Sequence, residues 1–189
     1  MSRRVNSTRS SDCPPIRSPN APTARDCSYG KSVIFWFVGT AVLSVWFVFH
    51  DSRFDNRALI AGVLIPDVID GVWGGARASH SVLGSVTVLV IVMFATIGRR
   101  PVRRRLLALP IGMFLHLIFD GAFANTNVFW WPVTGLSFDG ARLPIVERGI
   151  MNLVFEVIGV LLCVFAWRRF GLADPQRRRE FVSTGSLHE

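Results

Sequence analysis

Apolar residues fall into four long runs that short polar or charged segments separate. A helix needs about 20 mostly apolar residues to cross a bilayer. The four runs approach that length and are Ser32–Phe49, His80–Ile97, Leu106–Ala124 and Gly149–Trp167. The pattern therefore predicts four membrane-spanning helices.

A fifth apolar segment, Ala58–Trp73, is shorter and contains Pro66, Asp67 and Asp70. Proline removes a backbone hydrogen-bond donor, and carboxylates are costly in the middle of a bilayer. We therefore expect this segment to be a short re-entrant or interfacial helix. The predicted fold class is all-α, a polytopic membrane bundle of four spanning helices plus this short helix.

The composition agrees with a membrane protein. Half of the residues are hydrophobic, 18% are charged, and the mean hydropathy is +0.39. These values argue against a disordered chain, a coiled coil and an ordinary soluble domain. The three cysteines, Cys13, Cys27 and Cys163, form no spaced framework, which argues against a disulfide scaffold and a thiolate zinc site.

The distribution of positive charge predicts the orientation. Cytoplasmic loops of membrane proteins carry an excess of Lys and Arg. If 58–73 does not span, residues 1–31, 98–105 and 168–189 lie on one side and hold 16 of the 21 Lys and Arg. A spanning 58–73 divides the charges less favourably. We therefore expect a multi-pass protein of the cell (inner) membrane with both termini cytoplasmic.

The same segments define the expected domains and partners. Residues 1–31, rich in Ser, Pro and basic residues, are predicted to be a disordered cytoplasmic tail. Residues 32–167 form the transmembrane domain, and 168–189 a basic cytoplasmic tail. The arginine runs favour attraction to anionic lipids of the bilayer. Nucleic-acid binding is not expected, because neither interleaved aromatics nor a recognised nucleic-acid-binding fold is visible.

Five polar residues form candidate metal ligands near one membrane face. Asp67 and Asp70 are three residues apart, and His116 and Asp120 four apart, so each pair shares a helix face. His80 opens a predicted span after Ser79, a candidate N-cap. Carboxylates in a low-dielectric setting repel one another unless a cation is present. Imidazole and carboxylate suit zinc, with manganese, iron and magnesium as alternatives, and indicate metal-assisted hydrolysis.

Each of these residues also has a simpler interpretation. Asp67 and Asp70 could cap a turn or pair with Arg57 and Arg77. A single His on an apolar helix is more often a hydrogen-bonded core residue than a ligand. The convergence of the two clusters and a third His at one depth favours the metal site.

Two further residues are candidates for catalysis. Arg77 could receive an anionic substrate group, because guanidinium forks onto phosphate or carboxylate oxygens. It could equally pair with Asp70 or a lipid headgroup. Glu156 in the last span is expected to face the bundle interior. It could act as a further ligand, as a general base or as a partner of Arg77.

Three sequence elements resemble a bacterial family of membrane-bound metal-dependent hydrolases, a group that includes a LexA-binding inner-membrane protein. The elements are Gly62–Asp70, Arg77–Ser81 and His116–Gly121. That family is distantly similar to the all-helical zinc-dependent phospholipase C and P1 nuclease. The resemblance, which runs from about Phe47 to Pro144, implies that Asp67, Asp70, His80, His116 and Asp120 are the metal-site positions.

The chain departs from the family at one position. Many members carry a further His near the start of the first apolar helix, where this chain has Phe35-Trp36-Phe37. Either His50 replaces that His, or the site has fewer ligands.

The leading hypothesis is a hydrolase whose site opens to the extracytoplasmic headgroup region. Its substrate would be an ester or phosphodiester of a lipid, a lipid-linked headgroup or a small molecule. The alternative is a non-catalytic membrane protein with a structural metal site or an ion path.

Overall fold

The computed structural model describes residues 33–51, 54–73, 80–124, 129–133 and 150–187, without the side chains of residues 70–73 and 124. Within these residues the fold is all-helical, as predicted. The helices are α1 (Ile34–Phe49), α2 (Asn56–Trp73), α3 (Val82–Ala95), α4 (Arg100–Leu106), α5 (Ala108–Asp120), α6 (Ile150–Arg169) and α7 (Pro175–Thr184). The predicted tail 1–31 lies outside the described residues.

Several contacts bring residues 50–57, 98–105 and 168–187 to one end of the bundle. Asp51, just after α1, pairs with Arg104 of α4. The side-chain amide of Asn56 donates to the Gly185 carbonyl at 3.0 Å. The Trp46 ring meets that of Phe170 edge-on. We call this the basic end, because its described residues include eleven arginines and four acids.

The starts of α1 and α6 lie at the other end. The Trp36 indole donates to the Phe119 carbonyl at 3.3 Å, and the Glu156 carboxylate accepts from the Phe35 N–H at 3.1 Å. Asp67 lies at this end of α2. The described residues at this end include acids but no Lys or Arg. We call this the acidic end. Helices α1, α3 and α6 run from it to the basic end, and α2 and α5 run back.

The fifth apolar segment forms an 18-residue helix, α2, which packs against α1 and α5 and is longer than the short helix predicted. Its predicted re-entrant or interfacial placement stays a prediction. At about 1.5 Å per residue, α2 extends for roughly 27 Å. Pro66 is accommodated because it is buried against neighbouring helices, and Asp67 faces other polar side chains instead of lipid.

The predicted cytoplasmic placement of both tails stays a prediction, because residues 1–31 lie outside the described residues. The chain enters α1 at the acidic end, whereas α7 lies at the basic end. Residues 50–57, predicted to lie opposite the 98–105 loop, share its end through the Asp51–Arg104 pair. The charge count placed these two segments on opposite sides because it treated 58–73 as a segment that does not span.

Only part of the predicted membrane bundle is evident from helix length. Among the described residues, α6 alone is long and apolar enough to cross a membrane. Only 17% of its most apolar 18-residue segment is buried in the bundle. Helices α1 and α3 are apolar but shorter, with 16 and 14 residues.

The core lies between α1, α2 and α5, and small residues bring the helices close. The cluster includes Phe37, Val45, Leu59 and Val63. A Cβ at Gly62 would lie 2.1 Å from the Leu109 carbonyl oxygen, so no larger residue fits this crossing of α2 and α5. The close crossing sets the relative position of the two helices that carry Asp67 and His116.

Candidate metal centre

Three side chains from three segments converge at the acidic end. The Nε2 atoms of His80 and His116 are 3.1 Å apart. The Asp67 Oδ1 atom lies 3.5 Å from Nε2 of His116 and 3.8 Å from Nε2 of His80. We call Asp67, His80 and His116 the ligand triad.

Local structure positions each member. Asp67 follows the buried Pro66 on α2, and His116 lies one turn before the end of α5. His80 directly precedes the N-cap of α3, Ser81, whose hydroxyl accepts from the Gly84 N–H at 3.0 Å. The cap is thus Ser81 instead of the expected Ser79, which lies outside the described residues. A capped helix start holds His80 toward the other two ligands.

The triad has the spacing of ligands around one ion. Atoms about 2.1 Å from a tetrahedral metal lie roughly 3.4 Å from one another. The three distances bracket this value. A direct hydrogen bond would account for the His–His contact, but both carboxylate distances exceed the usual range of about 2.7–3.2 Å. A cation at the centre satisfies all three atoms together.

Burial makes the triad asymmetric. Both histidine side chains are fully buried, whereas that of Asp67 is 33% exposed. The ring of Phe37 packs on that of His116, with centroids 4.2 Å apart and planes at 32°. The two histidine side chains are therefore fixed by the surrounding core. A ligand from solvent would reach the triad from the side of Asp67.

Among the described side chains, neither Asp120 nor Glu156 belongs to the triad. Asp120 is 1% exposed and lies one turn beyond His116. Asp70 follows Asp67 on α2, but its side chain is outside the description, as is the whole of Arg77. Glu156 accepts a hydrogen bond from the first turn of α1.

His50 lies far from the triad, so it does not take the place of the histidine that many members of the resembled family carry near the start of the first helix. It ends α1 in the left-handed conformation, with φ of 46°, and packs near Trp46 at the basic end. The 16 residues of α1 extend for roughly 24 Å, so His50 and the triad lie at opposite ends of the bundle. Phe37 instead occupies the position beside His116.

Sequence reasoning found all three triad residues but missed what supports them. Phe37 gave no signal, because an aromatic residue in an apolar run is ordinary. The importance of Gly62 and Gly112 also went unnoticed. A Cβ at Gly112 would lie 2.3 Å from the Leu59 carbonyl oxygen.

Comparisons with known proteins give no assignment. No family model, no curated protein and no solved structure matches this chain.

Proposed function

We propose that this protein is an integral membrane hydrolase that binds a divalent metal ion through the ligand triad. The ion, zinc in the first instance, would lie at the extracytoplasmic end of the bundle. The substrate would be an ester or phosphodiester of a lipid or lipid-linked headgroup. The observation that carries this proposal is that ligand atoms of Asp67, His80 and His116, from three separate segments, all lie within 4.8 Å of one another.

Surface character supports the membrane placement. The exposed side chains of α3 and α6 are largely apolar, including Ile91, Phe94, Leu161 and Phe165. Contiguous apolar surface on this scale is rare on soluble monomers. A core helix of a soluble protein would be mostly buried, whereas only 17% of the most apolar 18-residue segment of α6 is buried.

Charge supports the orientation. Cytoplasmic segments are enriched in Lys and Arg close to the spans. The basic end carries the arginines of α4, α7 and the end of α6, whereas the described part of the acidic end has none. With the basic end in the cytoplasm, the triad faces the extracytoplasmic headgroups. That location supports a lipid or lipid-linked substrate.

Among the described residues the triad offers three protein ligands, which supports catalysis over a purely structural role. Structural zinc sites are closed by four protein ligands, whereas catalytic sites keep a position for water or substrate. A metal ion at such a site lowers the pKa of bound water to about 7 and polarises ester or phosphoryl oxygens. The triad would hold the ion, and Asp67, whose side chain is 33% exposed, borders the side from which substrate would approach. The three-element family resemblance points to the same class of reaction.

Metal content of the detergent-purified protein tests the proposal. We expect about one zinc per chain in the wild type, with loss in Asp67→Ala, His80→Ala and His116→Ala. His50→Ala is the matched control, because this histidine lies at the basic end, and it should retain the metal. Circular dichroism and gel filtration establish that each variant is folded.

The outcomes test the metal site and the hydrolase activity separately. A folded wild type that takes up neither zinc nor manganese overturns the metal site. Metal that resists displacement, with no hydrolysis of phosphodiester or carboxylester lipids, supports the structural alternative. Hydrolysis that disappears in the triad variants and remains in His50→Ala supports the enzyme.

A further inference from the structure

An apolar groove lies between α1, α3 and α5, in the part of the bundle that includes the basic ends of α1 and α5. Its volume is about 430 Å³. Its walls include Val45 and Phe49 of α1, Val86 and Leu89 of α3, and Ile111 and Phe114 of α5. Pockets that hold small molecules have volumes of about 300–1,000 Å³. The groove is therefore large enough for a ligand.

The residues that line the groove favour a hydrocarbon chain as the ligand. No charged side chain lines the groove. Apart from Ser44 and Ser85 the lining residues are apolar, so a bound ligand would meet mostly hydrocarbon, and every methylene group buried there adds favourable free energy. Leu89 and Val86 are partly exposed, so a chain can enter from the side.

The arginine-rich helix α4 lies beside the basic end of the groove. Phe49 is two residues before Asp51, and the Asp51–Arg104 pair holds α4 beside the end of α1. Helix α4 carries four arginines and no acid. It also leads through Leu107 directly into α5, which forms one wall. An anionic group at this end would therefore meet several guanidinium groups, which bind phosphate in a bidentate fashion.

We propose that this groove binds one acyl chain of an anionic phospholipid of the cytoplasmic leaflet, with the lipid phosphate against the arginines of α4. The groove extends from the basic ends of α1 and α5 to Leu115, which directly precedes His116. With its phosphate at the arginines of α4, the bound lipid keeps its headgroup at the basic end and away from the triad. The proposal rests on the membrane placement given above and is independent of the metal site.

Native mass spectrometry of the full-length protein in detergent tests the site. The probes are phosphatidylglycerol and phosphatidylethanolamine with identical acyl chains. Phosphatidylglycerol has a net negative charge, whereas the headgroup ammonium of phosphatidylethanolamine cancels the charge of its phosphate. We therefore expect phosphatidylglycerol to be retained at least about fivefold more strongly, a factor that corresponds to about 1 kcal/mol from one arginine. Leu89→Trp fills the groove and should reduce retention roughly tenfold. Val90→Trp, on the adjacent exposed position of α3, should leave it unchanged.

A second pair of variants tests the headgroup contact. Arg100→Gln with Arg105→Gln should abolish the preference for phosphatidylglycerol. Arg178→Gln with Arg179→Gln removes the same charge from α7 and should preserve it. Arg104 is kept, since its loss would also break the pair with Asp51.

Equal retention of the two lipids by the wild type would overturn the proposal. The proposal would also be overturned if Leu89→Trp and Val90→Trp changed lipid retention equally. Equal effects of the two double arginine variants on the headgroup preference would overturn it as well. Alkaline carbonate extraction separates this failure from failure of the membrane placement. A protein that stays in the membrane pellet without lipid preference lacks the groove site only, whereas a protein released by carbonate is not an integral membrane protein.

Discussion

The ring of Phe37 lies against that of His116, with the two centroids 4.2 Å apart. Phe37 is 1% exposed and belongs to the core between α1, α2 and α5. The first helix thus supports the ligand triad through an apolar contact. In the family that the sequence resembles, this part of the first helix carries a histidine.

Replacing Phe37 with His should tighten metal binding. An imidazole beside His116 would offer a fourth ligand, and four protein ligands are typical of closed zinc sites. We expect zinc affinity to rise by about tenfold or more, measured by competition with a chelator. Phe37→Leu keeps an apolar side chain and should leave the affinity near the wild-type value. Equal affinities for the two variants would contradict this account of the site.

Enlarging the glycine at the α2–α5 crossing should disturb the triad from a distance. Gly62→Ala places a methyl group against the Leu109 carbonyl, and overpacking of this kind costs about 1–3 kcal/mol. Since α2 carries Asp67 and α5 carries His116, we expect weaker zinc binding as well as a lower thermal midpoint. Ala61→Leu adds more volume at an exposed neighbour and should change neither quantity. A Gly62→Ala protein with wild-type stability would show that the helices separate without cost.

Glu156 should contribute to stability through the start of α1. Its carboxylate accepts from the Phe35 N–H, and no side chain at Val33 caps this helix. Loss of a cap costs about 1 kcal/mol. We expect Glu156→Ala to lower the free energy of unfolding by that amount, measured by denaturant titration, while metal content is unchanged. Glu156→Gln keeps an acceptor and should be less affected.

The same Glu156→Gln variant tests the catalytic role predicted from the sequence. Lost hydrolysis with the metal retained would support a role in proton transfer. Unchanged turnover would leave Glu156 as a helix cap alone.

The C-terminal helix should detach from the bundle in acid. Arg57 donates to the carbonyls of Val182 and Ser183 at the end of α7, at 2.6 and 3.0 Å, and pairs with Asp55. Burial by itself raises the pKa of Asp55, but hydrogen bonds from Arg57 and the Ala58 N–H outweigh it and lower that pKa. The groups that lower this pKa lie at the start of α2, so the charged carboxylate stabilises that folded start above the ordinary value of 3.8, and this contribution is lost as pH falls below it. Protonation of Asp55 also removes the partner that orients Arg57 toward the carbonyls of α7.

Hydrogen exchange of the C-terminal peptide, corrected for intrinsic rates, measures the detachment. We expect protection from pH 7 to about pH 5 and progressive loss below about pH 4. Asp55→Asn should expose the peptide at every pH and remove the dependence. Protection that persists in Asp55→Asn would mean that Asn56 and Gly185 hold α7 without the ion pair.

The sequence by itself determined the helical class, the apolar segments and the residues of the triad. Helix-length apolar runs have no other stable arrangement in a bilayer, and Asp67, His80 and His116 stand out as polar residues among apolar ones. Asp70, Asp120, Arg77 and Glu156 were singled out by the same reasoning, which ranks polar residues by depth alone. The depth of a polar residue does not show whether it is a metal ligand or a helix cap. The sequence therefore could not identify Glu156 as the residue that caps α1.

Tertiary structure alone decided how the helices are arranged around the site. Pro66 and two acids suggested that 58–73 is a short helix, but a buried proline and an acid facing other polar groups cost little in a longer helix once neighbouring helices surround them. The Asp51–Arg104 pair, the approach of α2 to α5 at Gly62 and the contact of Phe37 with His116 join residues far apart in the chain. Such contacts depend on which helix faces pack together, and hydropathy along one chain does not encode that choice.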